Sequence, residues 1–219
     1  MKKFILFFYI ILIITTFFNP IKANSQTKKE IYLTFDDGPS LNVTTKILEI
    51  LKEENIKATF FIVGNEAEKR PDIVKKIYEQ KNAIGLHSYS HKYKEIYKND
   101  TTLLEDIKKC NNSITKIIPE FNCKIYRFPG GSFGLSEKLI NAVKDNGYIY
   151  FDWNSSCLDS EIHNALPCQL FEGAVNTGLN KNKLIMLMHD SNSKMATAIA
   201  LPDIIHYYKE KGFIFKTLS

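Results

Sequence analysis

The stretch Ile31-Tyr32-Leu33-Thr34-Phe35-Asp36-Asp37-Gly38-Pro39 carries an apolar segment straight into two adjacent carboxylates and a Gly-Pro break. Ile31–Phe35 reads as a short buried strand, and Gly38-Pro39 stops it. Neighbouring Asp side chains repel and cannot both be buried unpaired. A divalent cation on one carboxylate would compensate them and leave the other free to act as a base. A solvated turn is the alternative reading, because Asp and Gly favour turns. The rest of the chain decides between the two.

Outward from this strand, β and α signals alternate. Val43–Glu53 has helical spacing with Asn42 as its N-cap, and Ala58–Val63 is a buried strand. Asp72–Gln80 is a helix entered through Pro71, and Ala83–Leu86 is an apolar run ending at His87. Thr102–Ile117 is a longer helix, Lys124–Phe128 a strand, Ser136–Asp145 a helix capped by Ser136, and Tyr148–Trp153 a strand. Lys183–Met188 is a further strand, Ala196–Lys211 a helix that Pro202 breaks or restarts, and Phe213–Lys216 a last strand after Gly212. Repeated β-α units with continuously apolar strands predict an α/β fold, a parallel sheet covered by helices. A barrel is the simplest closure for about seven such units.

With 219 residues the chain is long enough for one domain with a substantial core. Its N-terminus stands apart. Lys2 and Lys3 precede an uncharged apolar stretch from Phe4 to Phe18, and Ile21-Lys22-Ala23 follows after Asn19 and Pro20. That is the order of a secretory signal, and the stretch is short for a membrane span. We expect cleavage after Ala23, a polar lead-in over 24–30 and the folded domain over 31–219. An uncleaved N-terminal anchor is the alternative, because Ile21 does not suit the third position before the cut. The formal net charge is +5, but residues 1–23 hold three lysines and no acid. The remainder carries 26 basic against 24 acidic side chains, about +2, with no basic stripe, so a nucleic-acid partner is not expected. Cys110, Cys123, Cys157 and Cys168 permit disulfides in an exported protein. Their order suggests Cys110–Cys123 and Cys157–Cys168, with other pairings and free thiols as alternatives. No CxxC spacing points to zinc held by cysteine.

Polar residues gather at the predicted C-terminal strand ends: Asp36-Asp37, His87 with His91, Arg127, Asp152 or Asp159, and His189. In (β/α) barrels active sites are built at that end. His87-Ser88-Tyr89-Ser90-His91 spaces two imidazoles four apart, which on a helical turn puts both on one face within reach of one metal. In HExxH-type zinc sites a Glu between the histidines is the base; here Ser88 stands in its place, so the base must come from elsewhere, and the Asp pair is the evident source. One carboxylate and two histidines make a three-ligand site with a position open to water. Arg127 can hold a carboxylate in a fixed fork. His163 and His206 are given no role.

Taken in order, TFDDGP, HSYSH, RFPGG and LMH resemble the motifs of the polysaccharide deacetylases, the carbohydrate esterase family 4 or NodB-homology group. The resemblance spans about residues 29–218. It implies a distorted (β/α) barrel and metal-dependent hydrolysis of acetyl groups from a glycan. By motif position it implies Asp36 as general base, and Asp37, His87 and His91 as metal ligands. Arg127 would orient Asp36, His189 would be the general acid, and the Gly130 N–H after Pro129 would steady the oxyanion. Asp159 matches the acid that tunes the catalytic His, while Ser160 stands where the family commonly has Trp. Trp153, the only Trp, is either part of the groove floor or core packing. Zinc is the expected metal, with cobalt or nickel as alternatives. The expected protein is a secreted or cell-envelope monomer acting on a glycan polymer, and it touches a membrane only through an uncleaved N-terminal segment. Peptidoglycan N-acetylglucosamine is the first substrate. Muramic acid, chitooligosaccharide, poly-N-acetylglucosamine and acetylxylan are the alternatives. A catalytically silent glycan-binding barrel is the rival class, and the full set of acid, base and metal-ligand residues argues against it.

Overall fold

The computed structural model describes residues 28–219, so the expected signal segment and most of the polar lead-in lie outside the described residues. From there the chain runs β1 (Glu30–Asp36), α1 (Val43–Glu53), β2 (Thr59–Val63), α2 (Gly64–Lys69), α3 (Pro71–Glu79) and β3 (Ala83–Ser88). It continues through α4 (Tyr93–Ile96), α5 (Asp100–Ile117), β4 (Ile125–Tyr126), α6 (Glu137–Asp145), β5 (Ile149–Tyr150) and β6 (Ser155–Ser156). The last elements are α7 (Pro167–Gly178), β7 (Lys183–His189), α8 (Met195–Glu210) and β8 (Ile214–Phe215). All strand pairs are parallel, in the order β5-β4-β3-β2-β1-β7-β6, with β8 beside β1. β5 and β6 are consecutive in the chain yet do not pair, so the seven-strand path curls into a barrel left open along one seam. This is the distorted (β/α) barrel the sequence implies. Among the described residues no helix is long and apolar enough to cross a membrane.

The central strands are covered on both faces, by helices outside and by side chains of the other strands inside, where Phe61 packs with Ile125 and Leu218, so every residue of Thr59-Phe60-Phe61-Ile62-Val63 is buried. α1 has the predicted ends, but Asn42 makes no capping bond. Ser40 and Thr44 cap that turn instead: Ser40 N–H donates to Thr44 Oγ1 at 2.7 Å and Thr44 N–H to Ser40 Oγ at 3.2 Å. Ser136 occupies the N-cap position of α6 without a side-chain bond. The predicted strands 124–128 and 148–153 shrink to two-residue rungs, β4 paired between β3 and β5 and β5 at the open edge. α8 runs unbroken through Pro202. Glu30 belongs to β1 rather than to the lead-in, with its N–H on Asn182 O at 2.8 Å.

Four elements escaped the sequence reading: α2, α4, β6 and α7. The glycines in α7 weaken its helical signal. Packing explains one of them, since a Cβ on Gly173 would lie 2.6 Å from the Cys157 carbonyl oxygen. All four cysteines are free, so neither expected disulfide forms. The sulfurs face different neighbours: Cys110 Sγ lies 3.4 Å from Ile62 O, and Cys123 Sγ accepts from Ile125 N–H at 3.3 Å.

Candidate active site

Strand β1 builds the centre. Thr34 and Asp36 are two residues apart, so they share one face of the strand, and both are buried. Arg127, just past β4, is wholly buried beneath them, and its NH1 donates to Thr34 Oγ1 at 2.7 Å and Asp36 Oδ1 at 2.9 Å. Its Nε donates to Phe151 O at 2.9 Å, and Phe61 stacks 4.2 Å from the guanidinium carbon. Burial works against the charge on Arg127 and lowers its pKa, while Asp36 works the other way. The guanidinium stays charged in any case. Asp36 Oδ2 faces the opposite direction, 3.8 Å from His87 Nε2.

Asp37 has a φ of 74°, a conformation Asp tolerates better than most residues. That turn ends the strand's alternation, so both neighbouring carboxylates reach the same histidine. Asp37 Oδ1 lies 3.5 Å from His87 Nε2 and 3.0 Å from His91 Nε2. His87 Nδ1 sits 2.9 Å from the Arg127 carbonyl. A carbonyl only accepts, so Nδ1 carries a proton, and Nε2 is the ring nitrogen turned toward Asp37.

The histidine pair is not on a helical turn, as the spacing suggests. β3 runs through Ser88, and 88–91 is a tight loop with φ of 126° at Ser88 and 56° at His91. Asp106 on α5 folds this loop. Its carboxylate accepts from Ser88 Oγ at 2.5 Å, Tyr89 N–H at 2.7 Å and Ser90 N–H at 3.1 Å, and Ser88 Oγ accepts from His91 N–H at 2.9 Å. The sequence reading missed both Asp106 and Thr34. Thr34 was legible as the residue two before Asp36 on a strand. Asp106 was not, since only the docking of α5 brings it to the loop.

One ligand atom each from Asp37, His87 and His91 lie within 4.8 Å of one another. Asp37 Oδ1 is buried and accepts no well-formed hydrogen bond. Two imidazole nitrogens and an orphaned carboxylate oxygen fit a divalent cation. Burial disfavours the Asp37 charge, but His87 and His91 outweigh it and hold its pKa well below the usual range.

His189 ends β7 in register with Asp36. Its Nδ1 lies 2.7 Å from Asp159 Oδ1, its N–H donates to Asp159 Oδ2 at 2.8 Å, and Thr197 Oγ1 donates to the same oxygen at 2.8 Å. Burial alone would lower its pKa. The Asp159 bond and charge, with Asp36 and Asp37 further off, raise it to about 9. Of the two acids left open, Asp159 meets His189, while Asp152 holds Ser132 through its N–H at 2.9 Å and through its hydroxyl. Next to His189, Asp190 is fully buried; burial and the charges of Asp37 and Asp36 push it up to about 7 against the Thr44 bond. Pro129 O accepts from Tyr97 OH at 2.7 Å, and Gly130 follows with a φ of 77°. Trp153 packs edge-on against exposed Phe133 at 5.8 Å and lies 5.7 Å from the Arg127 guanidinium, outside the main core.

An Arg-held carboxylate, an Asp-held histidine and an Asp-His-His cluster at the C-terminal ends of parallel strands define a barrel hydrolase. The sequence model described as polysaccharide deacetylase matches residues 23–151. A peptidoglycan-N-acetylglucosamine deacetylase of Bacillus cereus is 34% identical over 203 residues, covering 90% of this chain and 72% of that relative. A carbohydrate esterase family 4 (CE4) esterase of Streptococcus mutans superposes with a TM-score of 0.83 at 29% identity, covering 88% of this chain and 87% of the other. A polysaccharide deacetylase of Bacillus cereus superposes at 0.80 with 32% identity, covering 88% and 93%. The chain belongs to the polysaccharide deacetylase family. It is accordingly a hydrolase that removes acetyl groups from a glycan.

Proposed function

We propose that the chain is a metal-dependent peptidoglycan N-acetylglucosamine deacetylase, working outside the cytoplasm as a monomer. The observation that carries the reading is the divided Asp pair: Asp37 faces two histidines, and Asp36 is held apart by Arg127. The substrate is supported by what the curated relative acts on. A cleft of about 380 Å³ beside Asp37 and His91, lined by Asn65, Ser90, Ser191 and Asn192, suits a hydroxyl-rich ligand.

Asp37, His87 and His91 would hold the cation. When bound, it supplies Lewis acidity to the acetyl carbonyl and to water. Asp36 takes one proton from the attacking water as the oxygen adds to the carbonyl carbon. The Gly130 N–H faces the oxygen that gains charge. His189 gives its proton to the sugar nitrogen as the C–N bond breaks, leaving acetate and an amine.

The direct test is acetate release from peptidoglycan, chitooligosaccharides and acetylated xylan. Peptidoglycan should be turned over fastest, EDTA should stop turnover, and added zinc should restore it. Activity indifferent to chelation would overturn the metal assignment. Glycan binding without acetate release in excess zinc would favour a binding barrel.

A pH prediction follows from His189. As general acid it must be protonated, so kcat falls as pH rises through its pKa. That alkaline limb should lie at or below about 9, since a nearby dication opposes the imidazolium. Asp159→Asn should move the limb to lower pH; an unmoved limb would separate Asp159 from the acid. The stability that charging His189 adds is complete below its unfolded value near 6.5 and fades as pH rises through about 9.

A further inference from the structure

Tyr93 opens α4 two residues after His91, and no step above uses it. The residue is 47% exposed. It stands edge-on to His91, with ring centroids 5.3 Å apart. On its other side it covers Gly130. A Cβ built there would lie 3.0 Å from Tyr93 Cε1 and 3.4 Å from the phenol oxygen. Gly130 has a φ of 77°, so glycine both accepts the backbone conformation and leaves room for this ring. The neighbouring Tyr97 spends its hydroxyl on Pro129 O, whereas the Tyr93 hydroxyl has no hydrogen-bond partner among the described residues. A free phenol therefore stands between a ligand of the cation cluster and the N–H expected to meet the oxyanion.

We propose that Tyr93 is a further catalytic residue, whose O–H donates a hydrogen bond to the acetyl oxygen as that oxygen gains negative charge. The inference rests on the deacetylase reading above. The phenol keeps its proton throughout, and no bond to it forms or breaks. A phenol holds its proton at neutral pH, which suits a donor and not a base. A preorganised donor of this kind acts on the transition state more than on bound substrate.

The test compares wild type, Tyr93→Phe and Tyr93→Ala on N-acetylated chitooligosaccharide and on p-nitrophenyl acetate, which share the acetyl oxygen. The expected result for Tyr93→Phe is a loss in kcat of about tenfold or more, with KM within about twofold and zinc content unchanged. Full kcat in Tyr93→Phe with a loss only in Tyr93→Ala would reduce the ring to a wall of the cleft. A loss confined to KM would make the phenol a ground-state contact, and either outcome overturns the proposal. The glycan reading fails separately, if wild type cleaves the aryl acetate and no glycan. If wild type with zinc cleaves neither substrate, both readings fall.

Discussion

Asp36→Asn should lower kcat for acetate release by about 10³-fold, inside the 10²–10⁴ range that a positioned base supplies, while the protein still binds one equivalent of zinc. The substitution preserves shape and keeps an oxygen that can accept from Arg127 NH1, now 2.9 Å from the carboxylate. What it removes is the capacity to take a proton. The three ligand atoms on Asp37, His87 and His91 are untouched, so metal affinity should hold. Zinc content by metal analysis, together with kcat on chitooligosaccharide, checks both halves. Loss of zinc with the activity would mean that Asp36 is a ligand and the two neighbours have exchanged roles.

Arg127→Met should cost about 3–5 kcal/mol of stability, the range for stripping one partner from a buried ion pair. Arg127 is 0% exposed and Asp36 2%. Removing the guanidinium strands the carboxylate, and it also leaves Thr34 Oγ1 and the Phe151 carbonyl without their donor. For a domain of this size the loss corresponds to a fall in Tm on the order of 10 °C. The double variant Asp36→Asn with Arg127→Met should recover part of that loss, because no buried charge is then left alone. Neither variant should turn over substrate. A Tm within about 2 °C of wild type for the single substitution would show that water reaches Asp36 and that the pair is not the buried anchor described here.

Most of the barrel was legible because its central strands are covered on both faces and therefore read as unbroken apolar runs. β1, β2, β3 and β7 all fall close to their predicted spans. The misses have local causes. α7 carries a glycine needed for close packing, and β6 is a two-residue rung too short to leave a pattern. The disulfide expectation failed because pairing depends on where sulfurs point, and sequence order is silent on that.

By itself the sequence determined the parallel β-α order, the family through TFDDGP, HSYSH, RFPGG and LMH, and the residue types gathered at the strand ends. These are properties of periodicity and of motif, written within a few residues of one another. Only the tertiary structure decided how the site is held. The motif resemblance already implied Arg127 for Asp36 and Asp159 for His189, and folding joins them across 91 and 30 residues, but Thr34 on Arg127 and Asp106 folding the HSYSH loop from a distant helix came from the structure alone. Buried charge explains the division. A carboxylate can be kept in the interior only by a partner that folding delivers, and in this chain those partners come from distant elements.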